Sequence, residues 1–213
     1  MPLLLLDLDN TLIDRAAAFR RWAVGFAAAV GAPADWLIMA DRDGLEPRER
    51  LAAAVRQRFG LTGRAEADVL ADLRRGLVEN IELDPAVPDA LDRARSTGWV
   101  PVVVTNGTVS QQELKLTRTG LADHVTGWVI SEGAGVRKPD PLIFRLAADR
   151  AGQALDGAWM IGDSAEADIR GAYGAGIASI WLHRQRAWSL AGFAPTRIMA
   201  TCAEAVASLM TDR

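Results

Sequence analysis

Four short stretches of this chain combine carboxylates with small polar and basic side chains. Asp7-Leu8-Asp9-Asn10-Thr11 follows an apolar run at once, and Thr105-Asn106-Gly107 follows another. Arg137-Lys138-Pro139-Asp140 forms the third, and Gly162-Asp163-Ser164, with Asp168 a helical turn further on, the fourth. Carboxylates crowded into a partly buried place repel one another and are costly to leave unpaired. A hard divalent cation resolves that conflict, and an oxygen-rich site with few protein ligands suits Mg²⁺. A cation held there attracts the oxygens of a phosphate, and Thr105, Asn106 and Lys138 offer hydrogen bonds and charge to the remaining ones. Phosphoryl transfer needs chiefly positioning and neutralisation of spread negative charge, and this set supplies both.

For these stretches to meet, strands must end where they begin. Five apolar runs read as buried strands: 3–8, 100–104, 127–130, 158–161 and 178–182. They are continuous rather than alternating, as expected when helices cover both faces of a parallel sheet. Helical patterns fall between the later runs, near 110–119, 141–151 and 165–175. Strand and helix alternating in this way predict an α/β domain with a doubly wound parallel sheet, whose ligands bind beyond the carboxyl ends of the strands. Roughly ninety residues separate the first two strands, far more than an ordinary crossover needs. That interval reads as helical, with Phe19, Trp22, Phe26 and Val30 on one face and later helices near 46–59 and 65–79. Residues 15–82 are therefore expected to form a helical insertion, a cap, on a core made of 1–14 and 83–213. The sequence contains neither an internal repeat nor a low-complexity segment.

Asp-Leu-Asp-Asn-Thr, Val-Thr-Asn-Gly, Arg-Lys-Pro-Asp-Pro with Phe144 after it, and Gly-Asp-Ser…Asp…Gly-Ala resemble, in order and spacing, the four motifs of the haloacid dehalogenase superfamily. The helical insertion resembles the cap of the subgroup that holds phosphoglycolate phosphatase, β-phosphoglucomutase, nucleotidases and 2-haloacid dehalogenases. The resemblance implies a Rossmann-like core and a set of roles. Asp7 would be the nucleophile that forms an aspartyl-phosphate. Asp9 would protonate the leaving oxygen and later activate water. Asp7, the Asp9 carbonyl and Asp163 would hold Mg²⁺, with Asp168 a direct or indirect partner. Thr105, Asn106 and Gly107 would bind the transferring phosphoryl group, and Lys138 would neutralise charge on both phosphate and Asp7. The function so implied is hydrolysis of a small phosphorylated metabolite by a Mg²⁺-dependent phosphatase. A phosphomutase shares all four motifs. A 2-haloacid dehalogenase has no leaving alkoxide to protonate, and the dehalogenases generally lack the carboxylate found here at Asp9. A non-catalytic binding domain usually loses the nucleophile or the metal carboxylate, and both are present.

Other features have plainer readings. Gly171, Gly174 and Gly176 fit close helix packing and a helix C-cap. His124 and His183 are poorly placed for a catalytic triad, and Cys202 is too isolated for a nucleophile or a zinc site. Phe19, Trp22 and Phe26 are expected in the insertion's core, whereas Arg20, Arg21, Arg42 and Arg48 are candidates to meet substrate. The basic residues are nearly all arginine: only Lys115 and Lys138 are lysines, which argues that Lys138 answers a chemical need. The formal net charge of −3 points to neither nucleic acid nor an acidic membrane surface as partner. One cysteine, no basic leader before Leu3–Leu6 and no long apolar segment lead us to expect a cytoplasmic protein without a membrane partner.

Overall fold

The computed structural model describes residues 1–211. Two compact units make up the chain, Met1–Ile13 with Leu83–Arg213 and Asp14–Glu82. In the first unit, strand β1 (Leu3–Leu6) is followed much later by helix α5 (Ala86–Ser96) and β2 (Val100–Thr105). The second unit, entered directly after the loop that follows β1, consists of α1 (Arg15–Ala29), α2 (Asp35–Asp41), α3 (Arg48–Arg58) and α4 (Glu66–Glu79). The remainder of the first unit runs α6 (Val109–Arg118), β3 (Gly127–Ile130), α7 (Ser131–Ala134), α8 (Leu142–Ala151), β4 (Trp159–Gly162), α9 (Arg170–Ala175), β5 (Ala178–Leu182), β6 (Arg197–Met199) and α10 (Cys202–Met210).

The six strands pair in the order β3-β2-β1-β4-β5-β6. Every pairing is parallel, with Leu3 opposite Val100 and Leu4 opposite Trp159. This is the doubly wound α/β sheet expected of the sequence. β1 is central because its four leucines are apolar toward both faces and wholly buried. From β1 the chain winds outward to β2 and β3 on one side and to β4, β5 and β6 on the other. The direction of winding therefore changes between β1 and β4, the switch point at which such sheets open a crevice. Leu3, Leu5, Val102, Val104, Val129, Phe144 and Met160 belong to one buried cluster on the sheet.

Two details depart from the sequence reading. β6 is an additional, three-residue edge strand whose Ile198 is exposed, so neither length nor a buried run announces it. The helix expected over 165–175 is divided into a π-type turn, Ala165–Ile169, and α9. In that turn Ser164 O accepts from both Asp168 N at 2.9 Å and Ile169 N at 3.2 Å, the wider loop that a π-bulge requires.

The helical unit has its own core of Phe19, Trp22, Leu37, Leu51, Val55, Val69 and Leu73, as expected for the two aromatics on α1, with Phe26 packed partly buried against it. Gly76 on α4 lets that helix meet α1 closely, because a Cβ there would fall 1.9 Å from Trp22 Cδ1. At its centre Asp41 is 2 % exposed. It accepts from Arg15 Nη1 and Nη2, both at 2.7 Å, from Arg48 Nη1 at 2.6 Å and from Gly44 N at 2.9 Å. Burial alone would raise the Asp41 carboxyl, but the hydrogen bonds and charges of Arg15 and Arg48 hold it below the ordinary carboxylate value. Arg48 is thus engaged inside this unit rather than left for a substrate. Arg21 likewise donates to Asn80 O and pairs with Glu82. Among the described residues no helix is long and apolar enough to cross a membrane.

Candidate active site

Asp7 stands one residue beyond β1 and still follows the sheet, donating its N–H to Ile161 O at 2.9 Å. The chain then turns sharply, with Leu12 N and Ile13 N both donating to Leu8 O and with Asn10 at φ 61°. Asn tolerates that left-handed conformation better than most residues. The turn also buries the Thr11 hydroxyl, which finds no hydrogen-bond partner among the described residues.

A lysine is buried against this loop. Lys138 Nζ donates to Asp7 Oδ1 at 2.7 Å and to Asp168 Oδ1 at 2.7 Å, with only 2 % of its side chain exposed. Asp168 is in turn fixed by Ser164 N, which donates to its Oδ2 at 2.9 Å. Gly162 makes room for it, since a Cβ at that position would stand 2.2 Å from Asp168 Oδ2. Asp163 completes the group: one carboxylate oxygen from each of Asp7, Asp163 and Asp168 lies within 4.8 Å of the others, and all three residues are buried. Burial pushes Asp7 up to about 8 despite the pull of Lys138, and the charges of Asp168 and Asp163 add to the rise. Burial would lower Lys138, but Asp168 and Asp7 carry it above its ordinary value. Three hard carboxylate donors, two of them on the Lys138 ammonium, form a site fitted to a small divalent cation.

Asp9 belongs to a different cluster. Lys115 Nζ donates to its Oδ1 at 2.8 Å and Oδ2 at 2.7 Å, and Gln112 Nε2 donates to Oδ2 at 3.1 Å. Gln112 also donates to Thr105 Oγ1 at 2.7 Å, so it joins the loop after β1 to the end of β2. Asn106 faces the loop after α7: its Nδ2 donates to Lys138 O at 3.0 Å and its Oδ1 accepts from Lys138 N at 2.9 Å. The amide carries a second N–H beyond this pair. Gly107 sends its N–H to Ser131 Oγ at 3.0 Å, and what its position supplies is backbone conformation, with φ 152° and Gln112 carbons 3.0 Å from where a Cβ would stand.

Asp163 has neighbours that the sequence reading missed. Its carbonyl accepts from Trp181 Nε1 at 2.8 Å and Arg186 Nη2 at 2.6 Å, and its Oδ2 lies 3.1 Å from Arg186 and 3.4 Å from Arg184. Gly171 lies against Phe144, whose ring carbons would stand 2.7 Å from an added Cβ, and Gly176 ends α9 at φ 73°. Gly174 does not share this packing, because it is exposed with nothing within 4 Å of an added Cβ. His183 Nδ1 accepts from Gln185 N, and His124 pairs with Asp92, so neither imidazole enters the carboxylate cluster. Cys202 begins α10 and is buried, and burial, with the charge of Asp7 adding to it, pushes its thiol up to about 12.

Residues 1–176 match the family model of the haloacid dehalogenase-like hydrolases. The chain belongs to that family. A phosphoserine phosphatase of Thermus thermophilus is 32 % identical to this hydrolase over 222 aligned positions, covering 86 % of this chain and 89 % of the relative. The pyrimidine 5′-nucleotidase YjjG of Escherichia coli is 42 % identical over 95 residues, 44 % of this chain and 42 % of its own. The HAD-hydrolase YfnB of Bacillus subtilis, solved bound to magnesium, superposes with a TM-score of 0.72 at 22 % identity, over 98 % of each chain. That last likeness concerns the fold. The hydrolase is thus an enzyme of a family whose nearby curated relatives include phosphatases acting on small phosphorylated compounds.

Proposed function

We propose that this hydrolase is a Mg²⁺-dependent phosphatase that passes the phosphoryl group of a small phosphorylated metabolite to Asp7 and then to water. One observation carries the reading: three buried carboxylates that follow the two strands at the switch point lie together, two of them on Lys138, beside the independent carboxylate of Asp9. One oxygen from each of the three carboxylates lies within 4.8 Å of the others, near enough together to share a small divalent cation. Asp7 and Asp163 would hold that ion together with the Asp9 carbonyl, with Asp168 a direct or an indirect partner. When bound, the ion supplies neutralisation of the phosphate oxygens and of Asp7.

The remaining steps fall to the chain's own groups. An Asp7 carboxylate oxygen attacks phosphorus, and the bond to the ester oxygen breaks. Asp9 gives that oxygen its proton. Water then yields a proton to Asp9 as it attacks the aspartyl-phosphate, which frees Asp7 and releases phosphate. Thr105, the second N–H of Asn106 and the Lys138 ammonium steady the phosphoryl oxygens, while Gly107 shapes the loop that carries them. Asp9 favours ester hydrolysis over dehalogenation, because dehalogenation has no leaving alkoxide to protonate. The Thermus relative, matched over most of both chains, supports the same reading and a small phosphorylated substrate. We assign substrate selection to the helical unit that enters the chain beside this loop, and the protein to the cytoplasm.

The test is a panel of phosphorylated metabolites and 4-nitrophenyl phosphate, assayed with EDTA and after restoring Mg²⁺. Turnover should vanish on chelation and return with Mg²⁺. Full turnover in chelated enzyme would refute the proposal.

A further inference from the structure

The site holds a second lysine for which the mechanism above has no use. Lys115 lies on α6 with 6 % of its side chain exposed, and its Nζ reaches three acceptors: both oxygens of Asp9 and Gln112 Oε1, the last at 2.7 Å. A buried ammonium is costly unless each of its donors is answered, and here the acceptors match its three N–H groups. Gln112, three residues earlier and on the same helix face, donates to Asp9 Oδ2 and to Thr105 Oγ1. This chain uses arginine for nearly every other cation. A planar guanidinium cannot gather three acceptors around one point, whereas an ammonium can.

We propose that Lys115 and Gln112 are positioning residues for the reaction assigned above. They hold the Asp9 carboxylate at a fixed place relative to Thr105, so that one group serves as acid toward the leaving oxygen and as base toward water. The inference rests on the reading of Asp9 as proton carrier. Asp9 needs such a hold, because it sits on a tight loop with 23 % of its side chain exposed and has rotamers to choose among. α6 thereby fixes the distance between the acid–base group and the phosphate-binding end of β2.

The experiment is a double-mutant cycle on the Mg²⁺-loaded enzyme with Lys115→Met, Asp9→Asn and the pair. 4-Nitrophenyl phosphate leaves without help from an acid, so a burst of nitrophenol reports attack by Asp7, and mass measurement of the Asp7 adduct reports its hydrolysis. Lys115→Met should keep the burst and slow adduct hydrolysis on the order of 10²-fold, the cost of a reacting group displaced by about 1 Å. Asp9→Asn should stall in the same way, and the double variant should fall no further than Asp9→Asn alone. Multiplied losses, or a Lys115→Met enzyme that clears its adduct at the wild-type rate, would overturn the positioning role. Unimpaired adduct hydrolysis in Asp9→Asn would instead sink the reading of Asp9, and this inference with it. Where Lys115→Met does not fold, as judged by circular dichroism, Gln112→Leu enters the same cycle with the same expectations.

Discussion

Replacing Gly162 by alanine adds one methyl group at the end of β4 and tests how tightly the carboxylate cluster is built. The added Cβ would stand 2.2 Å from Asp168 Oδ2 and 2.3 Å from its Cγ, where an ordinary contact begins near 3.4 Å. Relief by the side chain alone therefore moves the Asp168 carboxylate by about 1 Å. Its bond to Lys138 is 2.7 Å now and would stretch beyond hydrogen-bond range. Lys138 is left with Asp7 as its carboxylate partner, and a charge-assisted hydrogen bond worth about 1.5–3 kcal/mol is lost. The same shift disturbs the anion that joins Asp7 and Asp163, so kcat/KM should fall on the order of 10²-fold. The Mg²⁺ concentration for half-maximal activity should rise with it. Gly174→Ala is the matched control, since nothing lies within 4 Å of an added Cβ on that exposed turn of α9. It should leave kinetics unchanged and gain up to about 1 kcal/mol in helix propensity. Steady-state assays across a Mg²⁺ series, with melting curves of both variants, decide the matter. A Gly162→Ala enzyme with wild-type kcat/KM and Mg²⁺ requirement would refute the claim that Gly162 is there to admit Asp168.

Three further predictions concern the helical unit. Asp41→Ala leaves the Arg15 guanidinium buried without the carboxylate it grips at both nitrogens, a loss of about 3–5 kcal/mol. At roughly 2–4 °C per kcal/mol for a chain of this size, calorimetry should find the affected transition about 6–20 °C lower. The same carboxyl sets an acid limit. Because its folded pKa is depressed, its contribution is complete above the unfolded value of about 3.9 and is lost as pH falls through the folded one. Melting temperature against pH should therefore decline more steeply below about pH 4 in the wild type than in Asp41→Asn; parallel curves would exclude Asp41 as the cause. Gly76→Ala would drive a methyl group to within 2.0 Å of Trp22 Nε1, and such overpacking costs about 1–3 kcal/mol. Tryptophan emission and melting should both shift, and a variant as stable as the wild type would show that α1 and α4 separate freely.

The strands were readable because each inner one is a short run of apolar residues, and Asp7, Thr105 and Asp163 follow such runs directly. Lys138 was readable from its motif and from the scarcity of lysine. The sequence reading gave Lys115, the other lysine, no role, because no local pattern ties a residue on α6 to a loop more than a hundred positions earlier. That contact exists only once β1 and β2 are paired and α6 is laid on the sheet. Arg184 and Arg186 escaped notice for a similar reason: they follow β5, and their relation to Asp163 depends on β4 and β5 being neighbours. Arg15 drew no notice and Arg48 was read as a candidate to meet substrate, because a buried Asp41 is indistinguishable in sequence from a solvated one. The π-type turn at Ala165–Ile169 was hidden in a stretch whose composition suits an unbroken helix.

Cys202 gives this protein a built-in stopwatch. It is the sole thiol of the chain, is sealed beneath the start of α10, and has a proton that burial holds tightly. A disulfide reagent at neutral pH can therefore attack it only in molecules where α10 has lifted from the sheet. The labelling rate divided by that of the unfolded chain then gives the population of the lifted state, with no engineered probe. A thiol buried at the start of α10 thus offers a direct view of how often that helix leaves its place.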